Sequence, residues 1–131
     1  DYFELPGMRE IEFTIFEDEF ENKRVERENQ IYYTATHDNE TLLEWVNNLS
    51  SENRTMLKKR MTKLGYKNKN LCENLIIYAF NRAEKLTIVS ATDILKLGKN
   101  ARMNTPGIID ENNWTFKLKN FNKLISELKK Y

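Results

Sequence analysis

The sequence predicts an α/β fold built on a mainly parallel sheet, and three observations carry that reading. Residues 31–36 and 86–90 are short runs rich in β-branched and aromatic side chains, the kind buried in parallel sheets. Amphipathic helical patterns lie between them, so strands alternate with helices as in βα units. The run Tyr33-Thr34-Ala35-Thr36-His37-Asp38-Asn39 ends a strand with an imidazole and a carboxylate, at the end where parallel sheets bind ligands.

Taken in order, residues 8–16 carry Ile11, Phe13 and Ile15 on one parity and Glu10, Glu12 and Thr14 on the other, which predicts a first strand. Residues 17–30 are crowded with Glu, Asn, Lys and Arg and exceed an ordinary connection, so they read as a mobile loop near the site or as partly disordered. The second strand covers 31–36, with Tyr32 and Tyr33 pointing to opposite faces. Asn39 is placed to cap a helix through Leu42, Leu43, Trp45, Val46 and Leu49. Glu40 lies in its first turn, where a carboxylate suits the helix dipole. Ser50 or Ser51 caps a second helix with Met56, Leu57, Met61 and Leu64, ended by Gly65. A third, with one broad apolar face, runs from about 70 to 85. After the third strand at 86–90 come a brief helix over 93–97, the polar loop Ala101-Arg102-Met103-Asn104-Thr105-Pro106-Gly107, and a terminal helix over 121–128. Pro106-Gly107 reads as a turn, and Trp45 and Trp114 as packing residues.

Composition narrows the function. Charged residues make up 31% of the 131, yet the net charge is +1. With a pI near 8.0, this is not the one-sided basic surface of a nucleic-acid binder. Lys58-Lys59-Arg60 and Lys129-Lys130 read as solvated helix faces. A lone cysteine, Cys72, forms no internal disulfide, points to a reducing, cytoplasmic setting, and lies in an apolar helical run as a small buried hydrophobe. One His and one Cys are too few for a structural zinc site. No apolar run approaches the ~20 residues that span a bilayer, and no signal peptide is expected. Neither a membrane nor a nucleic-acid partner is expected. The chain begins with Asp1 rather than Met, as a cut or processed piece would.

A complete (β/α)8 barrel needs about 250 residues, and three parallel strands on their own leave both sheet edges unpaired. The texture is that of the last third of such a barrel. The string Thr34-Ala35-Thr36-His37-Asp38-Asn39 resembles the Thr-Gly-Thr-His-Asp-Asn strand end of the 4-α-glucanotransferases, or amylomaltases. The run 101–107 is similar to that family's Ala-Arg-Met-Asn-Thr-Pro-Gly at every position. Leu5-Pro6-Gly7-Met8, Asp93-Ile94-Leu95-Lys96-Leu97-Gly98 and Asn113-Trp114 follow in family order, so the resemblance spans essentially the whole chain.

The resemblance implies the C-terminal portion, about strands six to eight with their helices, of an α-amylase-like (β/α)8 barrel. It implies retaining transfer of α-1,4-glucan segments between maltooligosaccharides, with no cofactor and no metal. Retaining chemistry uses a nucleophilic carboxylate and an acid/base about 5 Å apart. The family's pair lies upstream of the Leu-Pro-Gly-Met block, so this chain alone is expected to be inactive. By motif, Asp38 matches the third, transition-state-stabilising carboxylate and His37 the histidine on the same glucosyl residue. Asn39, Arg102 and Asn104 are the further substrate-binding candidates, Asn104 because an amide both donates and accepts toward paired hydroxyls.

The chain departs from the family where the strand ending Phe-Ala-Phe-Asp becomes Phe13-Thr14-Ile15-Phe16, with Glu17 and Asp18 the nearest carboxylates. The Asn-Pro-Tyr-Leu-Pro-His segment is replaced by the charged 19–30 stretch, and Asn-Trp-x-Trp-Arg becomes Asn113-Trp114-Thr115-Phe116-Lys117. These changes bear on acceptor specificity. Two other readings compete: a non-catalytic glucan-binding module and an α-amylase-like hydrolase. Exposed strand edges also predict self-association of the chain.

Overall fold

Two of the β-branched runs and the segment before the first helix pair as a three-stranded parallel sheet in the order β1 (Gly7–Glu10), β2 (Gln30–Tyr33), β3 (Leu86–Ile88). The computed structural model describes residues 5–17, 29–82 and 85–131. The polar stretch expected to be a mobile loop lies largely outside the described residues. Among the described residues the α-helices are α1 (Ile11–Thr14), α2 (Leu42–Asn48), α3 (Ser51–Lys63), α4 (Leu71–Phe80), α5 (Ala91–Ile94) and α6 (Phe121–Leu128), with a 3-10 turn at Lys99–Ala101.

The first strand is shorter than its alternation predicts. It ends at Glu10, and Ile11–Thr14 form one helical turn. Ile11 and Ile15 are fully buried while Phe13 is 68% exposed. Residues four apart share a helix face, whereas residues two apart do not. Ile11 and Ile15 fit both periods, and only the exposure of Phe13 separates them.

The caps also shift. Thr41, not Asn39, caps α2, its hydroxyl accepting from the Glu44 N–H at 3.2 Å. Glu40 precedes the helix and accepts from Asn48 Nδ2 at 2.9 Å instead of serving the first turn. Ser50 caps α3, and Gly65 (φ +94°) closes it in the left-handed region that favours glycine. Asn70 caps α4, which stops at Phe80 rather than running on to 85. Ser90 caps α5, so the third strand stops at Ile88 and the brief helix begins at Ala91.

Register explains which sheet face is covered. Arg9, Tyr32 and Thr87 are in line across the three strands, and in a parallel ladder such residues share a face. Tyr32 is fully buried under the helices, and the Thr87 hydroxyl donates to the Ala79 carbonyl of α4 at 3.1 Å. The core on this side joins Leu42 and Val46 of α2, Leu57 and Met61 of α3, Cys72, Leu75, Ile76 and Ala79 of α4, and Ile94 of α5. The other face carries Met8, Leu86 and Ile88, all exposed. Cys72 is buried as expected, and burial, followed by the charge of Asp93, pushes its thiol up to about 11.

Candidate functional site

Beyond Tyr33 the chain leaves the ladder after a last rung, Thr34 N–H to the Ile88 carbonyl at 3.4 Å. Its exit is fixed by Asp93, only 1% exposed. One Asp93 oxygen accepts from the Thr34 hydroxyl at 2.6 Å and the other from the Leu42 N–H at 2.8 Å. This carboxylate therefore joins the end of β2, the start of α2 and α5. Burial raises its proton affinity above the ordinary aspartate value, against hydrogen bonds that lower it.

Residues 36–39 form a turn, Asn39 N–H to the Thr36 carbonyl at 3.3 Å, with His37 and Asp38 at its tip. Both are exposed, their side chains at 59% and 50%, and His37 Nε2 lies 3.4 Å from Asp38 Oδ2. The loop after the 3-10 turn is stitched to this tip at three points. The Asn104 N–H donates to the His37 carbonyl at 3.1 Å, Asn104 Nδ2 to Asp38 Oδ1 at 2.7 Å, and Arg102 Nη2 to the Asp38 carbonyl at 3.2 Å. Arg102 Nε closes its own loop on the Asn104 carbonyl at 2.9 Å. Residues 64 or more apart in sequence are thus brought together. All five site residues read from the sequence, His37, Asp38, Asn39, Arg102 and Asn104, belong to this cluster.

Asn39 sits behind the tip. Its Oδ1 accepts from the Thr36 N–H at 3.3 Å and from the Thr36 hydroxyl, and its Nδ2 donates to the Glu12 carboxylate of α1. Glu12 and its neighbour Glu10 are the residues that the sequence reading missed. The signal was present in two glutamates on one parity of the first strand, but that parity reads as solvent-facing when the other is apolar. Burial raises the proton affinity of both carboxyls. For Glu10 the Asp38 charge adds to the rise, and the Asn39 amide opposes it in each.

Trp114 is 60% exposed rather than packed, and its ring centroid lies 5.3 Å from that of His37. It adopts φ +64°, rare for a bulky residue, and its N–H donates to the Met103 carbonyl at 2.7 Å. Asn113 Oδ1 accepts from the Thr105 N–H at 3.1 Å, and Nδ2 donates to the Ile108 carbonyl at 3.0 Å. Between them, Pro106 and Gly107 (φ +76°) make the predicted turn, Ile108 N–H to Thr105 carbonyl at 3.3 Å. A cavity of about 330 Å³ opens beside the tip, lined by Thr36, His37, Asn39, Arg102, Met103 and Phe116. That volume is at the lower end for small-ligand sites. Among the described residues no group of His, Cys, Asp and Glu could hold a metal ion, and no helix is long and apolar enough to cross a membrane.

A carboxylate held by an amide, with an imidazole beside an indole, has the hydrogen-bonding groups and the aromatic surface to meet a polar ligand. The comparison with known proteins decides its family. A family model described as 4-alpha-glucanotransferase matches residues 1–123. The chain belongs to the 4-alpha-glucanotransferase family. A 4-alpha-glucanotransferase of Aquifex aeolicus is 37% identical over 119 residues, covering 89% of this chain and 24% of the relative. A chloroplastic/amyloplastic 4-alpha-glucanotransferase of Solanum tuberosum is 30% identical, covering 97% of this chain and 22% of the relative. An amylomaltase from Streptococcus agalactiae, solved in complex with acarbose, superposes with TM-score 0.78 at 26% identity, over 97% of this chain and 26% of that one. The chain spans about a quarter of the length of these 4-alpha-glucanotransferases.

Proposed function

We propose that this chain supplies part of the active site of a 4-α-glucanotransferase that moves α-1,4-glucan segments between maltooligosaccharides by a retaining mechanism. In this reading it forms about strands six to eight, the C-terminal portion, of an α-amylase-like (β/α)8 barrel working in the cytoplasm. The observation that carries it is Asp38, an exposed carboxylate at the C-terminal end of a parallel strand, held by Asn104 and flanked by His37. A negative charge fixed beside a sugar that becomes an oxocarbenium-like ion acts mainly in the transition state. His37 and Asn104 contact the sugar hydroxyls, while Arg102 and Asn39 shape the wall around them. The nucleophile and acid/base come from strands that precede Gly7–Glu10 in the barrel.

The test has two parts. Incubated with maltotriose, the 131-residue chain should bind but release neither glucose nor longer glucans. In a protein carrying the complete barrel, Asp38→Asn should lower transfer by about 10³-fold with little change in maltotriose KM. Turnover by the isolated chain, or full transfer by the Asp38→Asn protein, overturns the reading. Maltose and glucose without longer products would indicate hydrolysis.

A further inference from the structure

The Thr36–Asn39 turn is held from two directions, and only one of them involves the Arg102–Asn104 loop. On the opposite side stands α1, whose Glu12 carboxylate accepts from Asn39 Nδ2. The same amide's oxygen takes both the N–H and the hydroxyl of Thr36. Asn39 is thus the only bridge that the described hydrogen bonds provide between α1 and the turn, and its orientation is set at both ends, by the Thr36 N–H and by the carboxylate. With Glu12 in place, Nδ2 must face α1 and Oδ1 must face Thr36, because a carboxylate accepts and does not donate when ionised. This fixes the backbone on either side of His37 and Asp38, which are also held by Asn104 and Arg102, with the Trp114 ring beside His37.

We infer that Glu12 is a positioning residue for the glucan-binding turn, acting through Asn39 on His37 and Asp38 without touching the sugar. The inference rests on the glucan-binding reading above for its consequence, but the positioning itself is observable without any sugar. Removing the Glu12 acceptor leaves Asn39 held by Thr36 and by the Glu10 carboxyl alone, so its link to α1 loosens and the tip then samples several geometries. Site constellations lose efficiency when their supporting groups are loosened by about 1 Å.

The experiment compares Glu12→Ala, Glu12→Gln, Asn39→Ala and the Glu12→Ala/Asn39→Ala double variant of the full chain, using NMR and maltotetraose as the added sugar. Without sugar, Glu12→Ala should broaden or shift the backbone amides of residues 36–39 and the Asn39 side-chain amide. Glu12→Gln retains an acceptor and should restore them. With maltotetraose, Glu12→Ala should weaken binding about tenfold and Glu12→Gln by less than threefold. The double variant should bind no more weakly than Asn39→Ala, because both changes break one bridge. Unchanged turn amides in Glu12→Ala overturn the positioning role. So does additive loss in the double variant, or failure of Glu12→Gln to rescue. If the unmodified chain ignores maltotetraose while the sugar-free spectra behave as expected, the glucan reading falls and the positioning role stands.

Discussion

At the scale of single residues, the most consequential buried group is Asp93, which no function claims. Its two oxygens satisfy the Thr34 hydroxyl and the Leu42 N–H. Asp93→Ala leaves both donors buried and unpaired, and should cost about 3 kcal/mol in urea unfolding. Asp93→Asn keeps an oxygen for Leu42 and offers an amide to Thr34, whose hydroxyl can accept, so its cost should stay under about 1 kcal/mol. The titration of the native carboxyl gives a separate test. The folded value of Asp93 is raised above the unfolded 3.8, so the folded state holds its proton more tightly. That contribution is complete below 3.8 and is lost as pH rises through the folded value. Asp93→Asn should remove this part of the pH dependence, and an unchanged profile would show that another group causes it. Cys72 gives a second test. With its thiol moved from 9.0 to about 11, alkylation at pH 8 should run about 100-fold slower in the folded chain than in urea. Equal rates would mean that the thiol is accessible and ordinary.

Among the elements, the terminal helix α6 shows how weakly coupled parts are held. None of its residues is fully buried, and it packs mainly on α5. Its polar anchor is a cluster in which Lys96 Nζ meets Glu127 at 2.7 Å and Glu73 of α4 at 3.1 Å, while Lys130 bonds Glu127 at 2.8 Å. Lys96 reaches this position from a left-handed backbone (φ +54°) at the end of α5. The Lys130 and Lys96 hydrogen bonds pull the Glu127 carboxyl from 4.5 down to about 2. A depressed carboxyl stabilises fully above its unfolded value and stops doing so as pH falls through the folded one. The docking of α6 should therefore weaken between pH 4.5 and 2, and Glu127→Gln should abolish that dependence while raising amide exchange in 121–128 at neutral pH. Exchange in this helix that is indifferent to both changes would rule the cluster out as its anchor. The same scale shows what a sequence displays and what it hides. The 121–128 helix and the Gly65 stop were legible, and the α3 cap was narrowed to Ser50 or Ser51, because periodicity and capping are local. The turn at Ile11–Thr14 was not, since Ile11 and Ile15 satisfy two periods at once. Nor was the move from Asn39 to Thr41 as cap of α2, because Asn39 is taken by Glu12 and Thr36, partners that only tertiary structure supplies. At the site, motif carried His37, Asp38, Arg102 and Asn104, whereas Glu12 required knowing that β1 ends in a helical turn facing the β2 loop.

For the molecule as a whole, the decisive feature is the sheet face opposite the helices. Met8 is 62% exposed, Leu86 50% and Ile88 39%, yet parallel sheets are ordinarily covered on both faces. Neither β1 nor β3 has a second neighbour among the described strands, and α6 presents Phe121, Ile125 and Leu128 to solvent. In the barrel proposed above, the open face lines the interior and both edges pair. In the 131-residue chain by itself they are available to a second copy, because unpaired strand edges beside apolar side chains template further pairing. Sedimentation velocity should show association that grows with concentration. Rising salt should not weaken it, since apolar contact is not screened. Ile88→Lys places a charge on the open face next to the β3 edge and should return the chain to a monomer with its circular dichroism unchanged. The Asp38 tip lies beyond the end of the ladder, so that monomer should bind maltotetraose as the parent chain does. A parent chain that is monomeric at every concentration and salt would mean that the open face is covered from within, and the barrel-portion reading would lose the surface it depends on.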